Sequence, residues 1–335
     1  MEPLPQLSLG LVIGKFYPPH RGHESVIQTA LRHCSQVVVI VCGRAGEAPD
    51  GQLRRAWLQE LFPTVEVRLI DDIYPSDDSQ LWADLTRQWL GRAPDAVFTS
   101  EDYGDRYATC LGCRHIRVDP ARQAVPCSGT AIRASPWRNW EFLSPPVRAW
   151  YALRIVVVGA ESTGTTTLSE ALARHYQTVW VPEYGRAYSA RKQAQGDTHW
   201  TTEEFVHIAE EQQRRENFAA RAASRLVIGD TNAFATTLWH RRYLGFDSPA
   251  VAGVAHRGRT DLYLLTGDEI PFVQDGLRDG EHLRHRMHGW FEDALKSGTV
   301  PWKLLRGSPQ ARLNAAIAEI ESRWPIALLK PAHQP

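Results

Sequence analysis

Along this chain, short uninterrupted apolar runs alternate with stretches in which apolar residues recur every three or four positions. Residues 11–14, 37–41, 65–69 and 96–99 predict strands, and the 37–41 run has no polar residue at all, as in a strand covered on both faces. Val26, Ile27, Ala30, Leu31 and Cys34 share one helical face after the first run, and further helices are predicted near 53–61 and 81–90. The rhythm restarts at 154–158 with a helix to about His175, then continues through strand candidates at 178–181, 226–229, 261–265 and 303–305. A long helix over 203–223 carries a partial apolar face from Phe205, Ile208, Ala209, Gln212 and Phe218. Such alternation predicts an α/β fold with two doubly wound parallel sheets. Pro145 and Pro146 punctuate the chain between the two series, so the expected domains are residues 1–148 and 149–335.

Composition narrows the class of molecule. With 335 residues, 43% hydrophobic and 23% charged, the chain has an ordinary globular make-up and length enough for two cores. Lys+Arg and Asp+Glu both total 38, which leaves no basic excess for nucleic acid, so DNA binding is not expected. The apolar runs are too short to span a bilayer, and the first residues lack a secretion signal, so no membrane association is expected. Five scattered cysteines suit free thiols, and the cytoplasm is the expected location. Cys110 and Cys113, a lone C-x-x-C with His115 nearby, read as packing thiols. His282, His285 and His288 rotate around a helix rather than converge, and read as a solvated stripe rather than a metal site. A homo-oligomer is compatible with the sequence but not specified by it.

The first apolar run leads into Gly14-Lys15-Phe16-Tyr17-Pro18-Pro19-His20-Arg21-Gly22-His23. A helix opening there sets both histidines at its N-terminus, where backbone N–H groups and the helix dipole favour an anion. Gly22 lets the backbone approach a ligand closely. Further on, Ser128-Gly129-Thr130-Ala131-Ile132-Arg133 places small hydroxylated residues at a helix start and an arginine one turn later, a second phosphate cradle. The competing explanation is a histidine-rich turn followed by an ordinary N-cap.

Together these segments resemble the H-x-G-H and S-x-T-x-x-R signatures of the nucleotidyltransferase superfamily. Glu101-Asp102-Tyr103-Gly104 is similar to a segment of NadR-type nicotinamide-nucleotide adenylyltransferases, and residues 54–58 and 118–122 also fit that family. The resemblance implies a Rossmann-like domain in which the phosphate of nicotinamide mononucleotide attacks the α-phosphorus of ATP, giving NAD and pyrophosphate. It places His20, His23, Lys15 and Arg133 at the ATP phosphates, with Gly14, Phe16, Gly22, Ser128 and Thr130 also binding the nucleotide. Tyr103 and Arg55 are candidates for the mononucleotide side. Trp82 could stack on the pyridinium, or equally could pack as an ordinary tryptophan.

The second series opens with Gly159-Ala160-Glu161-Ser162-Thr163-Gly164-Thr165-Thr166-Thr167 between a strand and a helix. This is the setting of a P-loop, G-x-x-x-x-G-K-[ST], with Thr165 where the lysine stands. The backbone cradle needs glycines and N–H groups rather than the lysine, and Thr166 takes the hydroxyl position that meets Mg²⁺. Asp230, after the apolar run 226–229, resembles a metal-directed Walker B carboxylate. Residues 182–186, with Glu183, Tyr184 and Arg186, and residues 270–278, with Asp275 and Arg278, resemble segments of NadR-type ribosylnicotinamide kinase domains. Arg312 falls where kinases of this class hold adenine. The resemblance thus runs from about residue 9 to about 325.

It implies γ-phosphoryl transfer from ATP to the ribose hydroxyl of ribosylnicotinamide, with Glu183 orienting or deprotonating that hydroxyl and Asp230 binding Mg²⁺. An alternative assignment exchanges those two roles. Asp275 is expected at the nucleoside and Arg278 at a phosphate or lid, while surface salt bridges remain the competing explanation for Arg186 and Asp275. Charge missing at Thr165 could come from Arg186, Arg278, Arg241, Arg242, Arg257 or Arg259. The alternative overall is an adenylyltransferase whose second domain only senses nucleotide. A first strand near residue 10 leaves no room in this sequence for the N-terminal helix-turn-helix of some NadR-type proteins.

Overall fold

In the computed structural model, which describes residues 7–274 and 281–329, the expected alternation resolves into two five-stranded sheets, parallel throughout. The unit ending at Val147 contains β1 (Leu7–Gly14), β2 (Cys34–Gly43), β3 (Glu66–Asp71), β4 (Ala96–Thr99) and β5 (Arg114–Arg117). Their order is β3-β2-β1-β4-β5. Helices cover both faces, and the strand residues divide between them by alternation. Val12, Val37, Val39 and Val41 pack with Val26, Ile27 and Ala30 of the helix Arg21–His33. Leu11, Ile13, Val38 and Ile40 pack on the other side with Ala83, Tyr107 and Leu111. Chain order reverses at β1, which pairs with β2 on one side and β4 on the other. Ligands of such sheets bind beyond the carboxyl end of the strands at that reversal, and β1 delivers Gly14 there.

The unit beginning at Arg148 contains β6 (Leu153–Val158), β7 (Trp180–Val181), β8 (Leu226–Asp230), β9 (Leu262–Thr266) and β10 (Trp302–Leu305), in the order β10-β9-β6-β8-β7. β6, β8 and β9 are buried along their whole length. Val156, Val158, Tyr263 and Leu265 pack against Leu238, Met287 and Phe291. Among the described residues, no helix is long and apolar enough to cross a membrane.

Several expectations are corrected. Cys34 does not end the first helix but starts β2, with extended backbone at φ −124° and ψ 145°. The strand expected over 178–181 shortens to Trp180–Val181. β5 is an addition to the expected strands: among the described residues Arg-His-Ile-Arg pairs with β4 alone, and an edge strand can stay polar. The long helix is Thr202–Ala220, and Phe218 on it is 73% exposed. Four-residue steps from Gln212 lead instead to Glu216 and Ala220, which are buried. Nor is the histidine stripe uniformly solvated, because His288 is buried whereas His285 is exposed and paired with Asp268. All five cysteines are free.

Candidate functional site

His20 caps the helix Arg21–His33: its backbone is extended, and its Nδ1 accepts the Gly22 N–H at 3.1 Å. The His20 and His23 rings lie 3.7 Å apart, centroid to centroid, at 31°. Burial pushes His20 down to about 4, with Arg122 adding to the effect. His23 is held well below its ordinary value by burial, then by His20 and Arg122. Both are therefore neutral near pH 7, and act as N–H dipoles rather than cations.

Positive charge comes from their neighbours. Lys15 Nζ lies 3.4 Å from the buried Asp72 carboxylate, and Arg122 Nη2 donates to Glu101 at 2.7 Å. Arg133 donates to the Tyr17 carbonyl at 2.5 Å and to Thr130 Oγ1 at 3.2 Å. These three cations line a cleft of about 770 Å³ together with Gly14, Phe16, His23, Trp82, Tyr103, Ser128 and Thr130. That volume is within the usual range for a small-molecule site. Ser128 caps the helix Gly129–Ala134 by accepting the Ala131 N–H at 3.1 Å. A β-carbon at Gly129 would come 2.7 Å from the Tyr17 carbonyl oxygen, so the two motifs meet only because this residue is glycine.

Not every expected residue lies in the cleft lining. His20 and Gly22 stand beside it at the helix start. Arg55 donates Nε to the Val67 carbonyl at 3.0 Å and is absent from the lining. Its neighbour Arg54 is the fully buried one, bound to the Lys15 carbonyl and the Glu47 carboxylate and lying 5.0 Å over the Tyr17 ring. Tyr103 donates its hydroxyl to the Ile13 carbonyl at 3.1 Å, and Trp82 Nε1 donates to Pro75 at 2.8 Å while meeting Tyr74 and Trp89 edge-on. Arg54 and Arg122 fall in the family-like segments 54–58 and 118–122 but were given no role there, and Asp72 was not singled out. Its signal was that of an acidic residue just past the carboxyl end of a strand.

In the second unit, β6 leads through a loop with positive φ at Ser162 (58°) and Gly164 (84°) into the helix Thr165–Tyr176. Thr163 Oγ1 braces the loop, 2.7 Å from both the Ala160 carbonyl and Thr266 Oγ1. Ser162 Oγ accepts the Val273 N–H at 2.7 Å. Thr166 Oγ1 donates to Asp230 Oδ2 at 2.6 Å, and Asp230 Oδ1 is buried with no hydrogen-bond partner among the described residues. Burial raises the Asp230 pKa, opposed by Thr166, Thr165 and Arg186 in that order. A hydroxyl beside a carboxylate with an orphaned oxygen fits a hard divalent cation. Gly159, Ser162, Gly164, Thr165, Thr166, Thr167, Glu183 and Arg186 line a cavity of about 170 Å³ that Trp200, Trp239 and Tyr243 also border.

Here too some residues fall elsewhere. Tyr184 is buried, its N–H on Gln212 and its hydroxyl between His207 and Arg191, outside the lining. Arg312 is also buried, donating to the carbonyls of Thr163 (2.6 Å) and Gly267 (3.0 Å) and to the Glu269 carboxylate (2.7 Å). It props the loop from behind instead of lining the cavity. Of the arginines considered in place of the P-loop lysine, Arg241, Arg242, Arg257 and Arg259 pair with Asp247, Glu161, Glu210 and Asp261. Arg186 lines the cavity. Asp275 and Arg278 lie outside the described residues.

Comparison with known proteins adds to this picture. Residues 154–312 match the model of an AAA domain family. Over 302 residues the chain is 29% identical to the trifunctional NAD biosynthesis/regulator protein NadR of Escherichia coli (strain K12), covering 82% of this chain and 73% of that protein. The same protein of Salmonella typhimurium is 28% identical over the same length. A crystal structure of a NadR protein in complex with NR matches with a TM-score of 0.77 and 21% identity, over 95% of this chain and 96% of that one. Another, in complex with NAD and AMP-PNP, matches with a TM-score of 0.76 and 19% identity, over 98% of each chain. At these identities the structures speak for a shared fold.

Proposed function

The chain is a homologue of the NadR proteins, and on that premise we propose that it is an enzyme of NAD synthesis and salvage with two ATP-dependent reactions. In the first cleft, a phosphate oxygen of nicotinamide mononucleotide attacks the α-phosphorus of ATP. The new P–O bond replaces the one to the β-phosphate, so pyrophosphate leaves and NAD remains. No protein nucleophile is required; positioning and charge neutralisation carry the step. Lys15, Arg122 and Arg133 supply positive charge, and the neutral imidazoles of His20 and His23 supply N–H donors without a competing titration. The observation that carries this reading is the close pair of histidines beyond the carboxyl end of β1, His20 buried and His23 half-buried, beside a cation-lined cleft of nucleotide size.

In the second unit the ribose hydroxyl of ribosylnicotinamide attacks the γ-phosphorus of ATP, and ADP leaves. Glu183, which lines the cavity, takes the hydroxyl proton in this reading. Thr166 and Asp230 would hold Mg²⁺, which when bound neutralises phosphate charge. The loop amides hold the phosphates, and Arg186 supplies the cation that Thr165 cannot. The absent lysine also favours a second reading, in which this unit binds nucleotide as a sensor without transferring phosphate.

One experiment tests both. Purified protein with ATP and Mg²⁺ is offered nicotinamide mononucleotide or ribosylnicotinamide separately, and products are resolved by chromatography. NAD is expected from the first, and the mononucleotide together with NAD made from it is expected from the second. No NAD overturns the adenylyltransferase; nucleotide binding without phosphorylation leaves the sensor.

A further inference from the structure

We propose that Cys127 is a positioning residue for adenylyl transfer: its thiol and the Gly22 N–H converge on Nδ1 of His20 and hold that ring in the tautomer whose proton is on Nε2. The inference rests on the adenylyltransferase reading of the first cleft. Cys127 Sγ lies 3.3 Å from His20 Nδ1, and the Gly22 nitrogen 3.1 Å from the same atom. A neutral imidazole carries one proton, and the nitrogen that accepts cannot bear it. Two donors on Nδ1 therefore leave Nε2 as the donating nitrogen. The opposite tautomer would set an N–H against the Gly22 N–H and deprive the helix cap of its acceptor.

The surroundings favour this arrangement. Cys127 is buried, and burial raises its pKa and keeps the thiol protonated, as a donor must be. Burial likewise keeps His20 neutral. The imidazole lies against the His23 ring and feels Arg122, while the Gly22 N–H, Arg122, Glu141 and Glu24 act on the thiol. Space for the ring depends on Gly22, whose β-carbon would come 2.9 Å from His20 Cε1 and 3.0 Å from its Nδ1. Cys127 directly precedes Ser128, the cap of the second phosphate-facing segment. The thiol thus ties that segment to the histidine of the first.

The test uses the whole chain with labelled histidine, reading the His20 ring nitrogens by ¹⁵N NMR alongside turnover. Cys127→Val removes the donor and keeps an apolar filling, Cys127→Ala does so without added bulk, and Cys127→Ser restores a donor. The wild type is expected to show the Nε2–H form alone. The valine and alanine variants should mix tautomers, titrate His20 at higher pH, move the acid limb of kcat/KM upward and lose about fivefold in turnover, the scale of one neutral hydrogen bond. Serine should recover the wild-type tautomer. Unchanged His20 nitrogen signals in both donor-free variants would overturn the inference, even if activity fell. The NMR readout needs no turnover, so a wild type that makes no NAD would defeat the adenylyltransferase reading separately.

Discussion

Thr166 Oγ1 donates to one oxygen of Asp230 at 2.6 Å, while the other oxygen is buried without a hydrogen bond among the described residues. A carboxylate held in this way costs the apo fold stability and suits an incoming cation. Folding raises its pKa, so the native state binds the proton more tightly. Stability is then lost as pH rises from the unfolded value through the folded one. Asp230→Asn should keep or raise the melting temperature at pH 7 without nucleotide, while lowering ribosylnicotinamide phosphorylation at least about a hundredfold. A clear drop in melting temperature would show that the charge is structural.

His23→Ala should leave folding intact and lower NAD formation by about 2.7–4 kcal/mol of transition-state stabilisation, the typical cost of one preorganised donor. Because His20 is held to about 4, the acid limb of kcat/KM attributable to it should lie near pH 4, well below the ordinary histidine range. A limb at pH 6–7 that disappears in His20→Asn would contradict the neutral-donor assignment. The stability linkage runs the same way. A depressed histidine contributes stability above its unfolded pKa of about 6.5, and that contribution is lost as pH falls towards 4.

Glu216 is buried on the helix Thr202–Ala220, and burial raises its pKa from 4.5 to about 7 against the pull of Arg154 and a Gln212 hydrogen bond. The folded state therefore holds the proton, and stability should fall by about 3 kcal/mol between pH 4.5 and 7 on its account. Urea unfolding at pH 5 and pH 7.5 should show this loss in the wild type and a much smaller one in Glu216→Gln. Equal pH dependence in the two proteins would exclude the assignment.

Arg186→Ala should lower phosphorylation of ribosylnicotinamide about a hundredfold, the scale of losing one charged transition-state contact, while nucleotide affinity changes less. Thr165→Lys should restore activity in that background, since it returns the cation to the loop. If the arginine can be removed without loss, charge is supplied from elsewhere.

Much of this architecture can be read from the chain because its strands are short, uninterrupted and flanked by turns, as with residues 37–41 and 96–99. Cys34 cannot be read so, because the first helix runs into β2 with no turn residue between them. The phosphate-facing loops are legible for a related reason: each is a local motif at the end of a strand, and its geometry depends on neighbours in sequence. Side chains that depend on tertiary partners are not. Arg54 and Arg55 look equivalent in sequence, yet the rotation of about 100° between successive helix positions sends the first into the core and the second to the Val67 carbonyl. Tyr184 follows Glu183 in the family-like segment, but Gln212, His207 and Arg191 draw it away from the cavity. Arg122 sits in a loop at φ 51°, and no periodicity locates it.

Arg312 grips the Thr163 carbonyl across 149 positions of chain. At ordinary rates of synthesis, about ten seconds or more separate the emergence of the loop from that of its strut. Meanwhile the left-handed turns at Ser162 and Gly164 lack one of the contacts that fix them. The phosphate cradle is thus begun early in the synthesis of this unit and completed late, and a growing chain cannot hold the loop in its final form before the helix Pro309–Arg323, which carries Arg312, has docked.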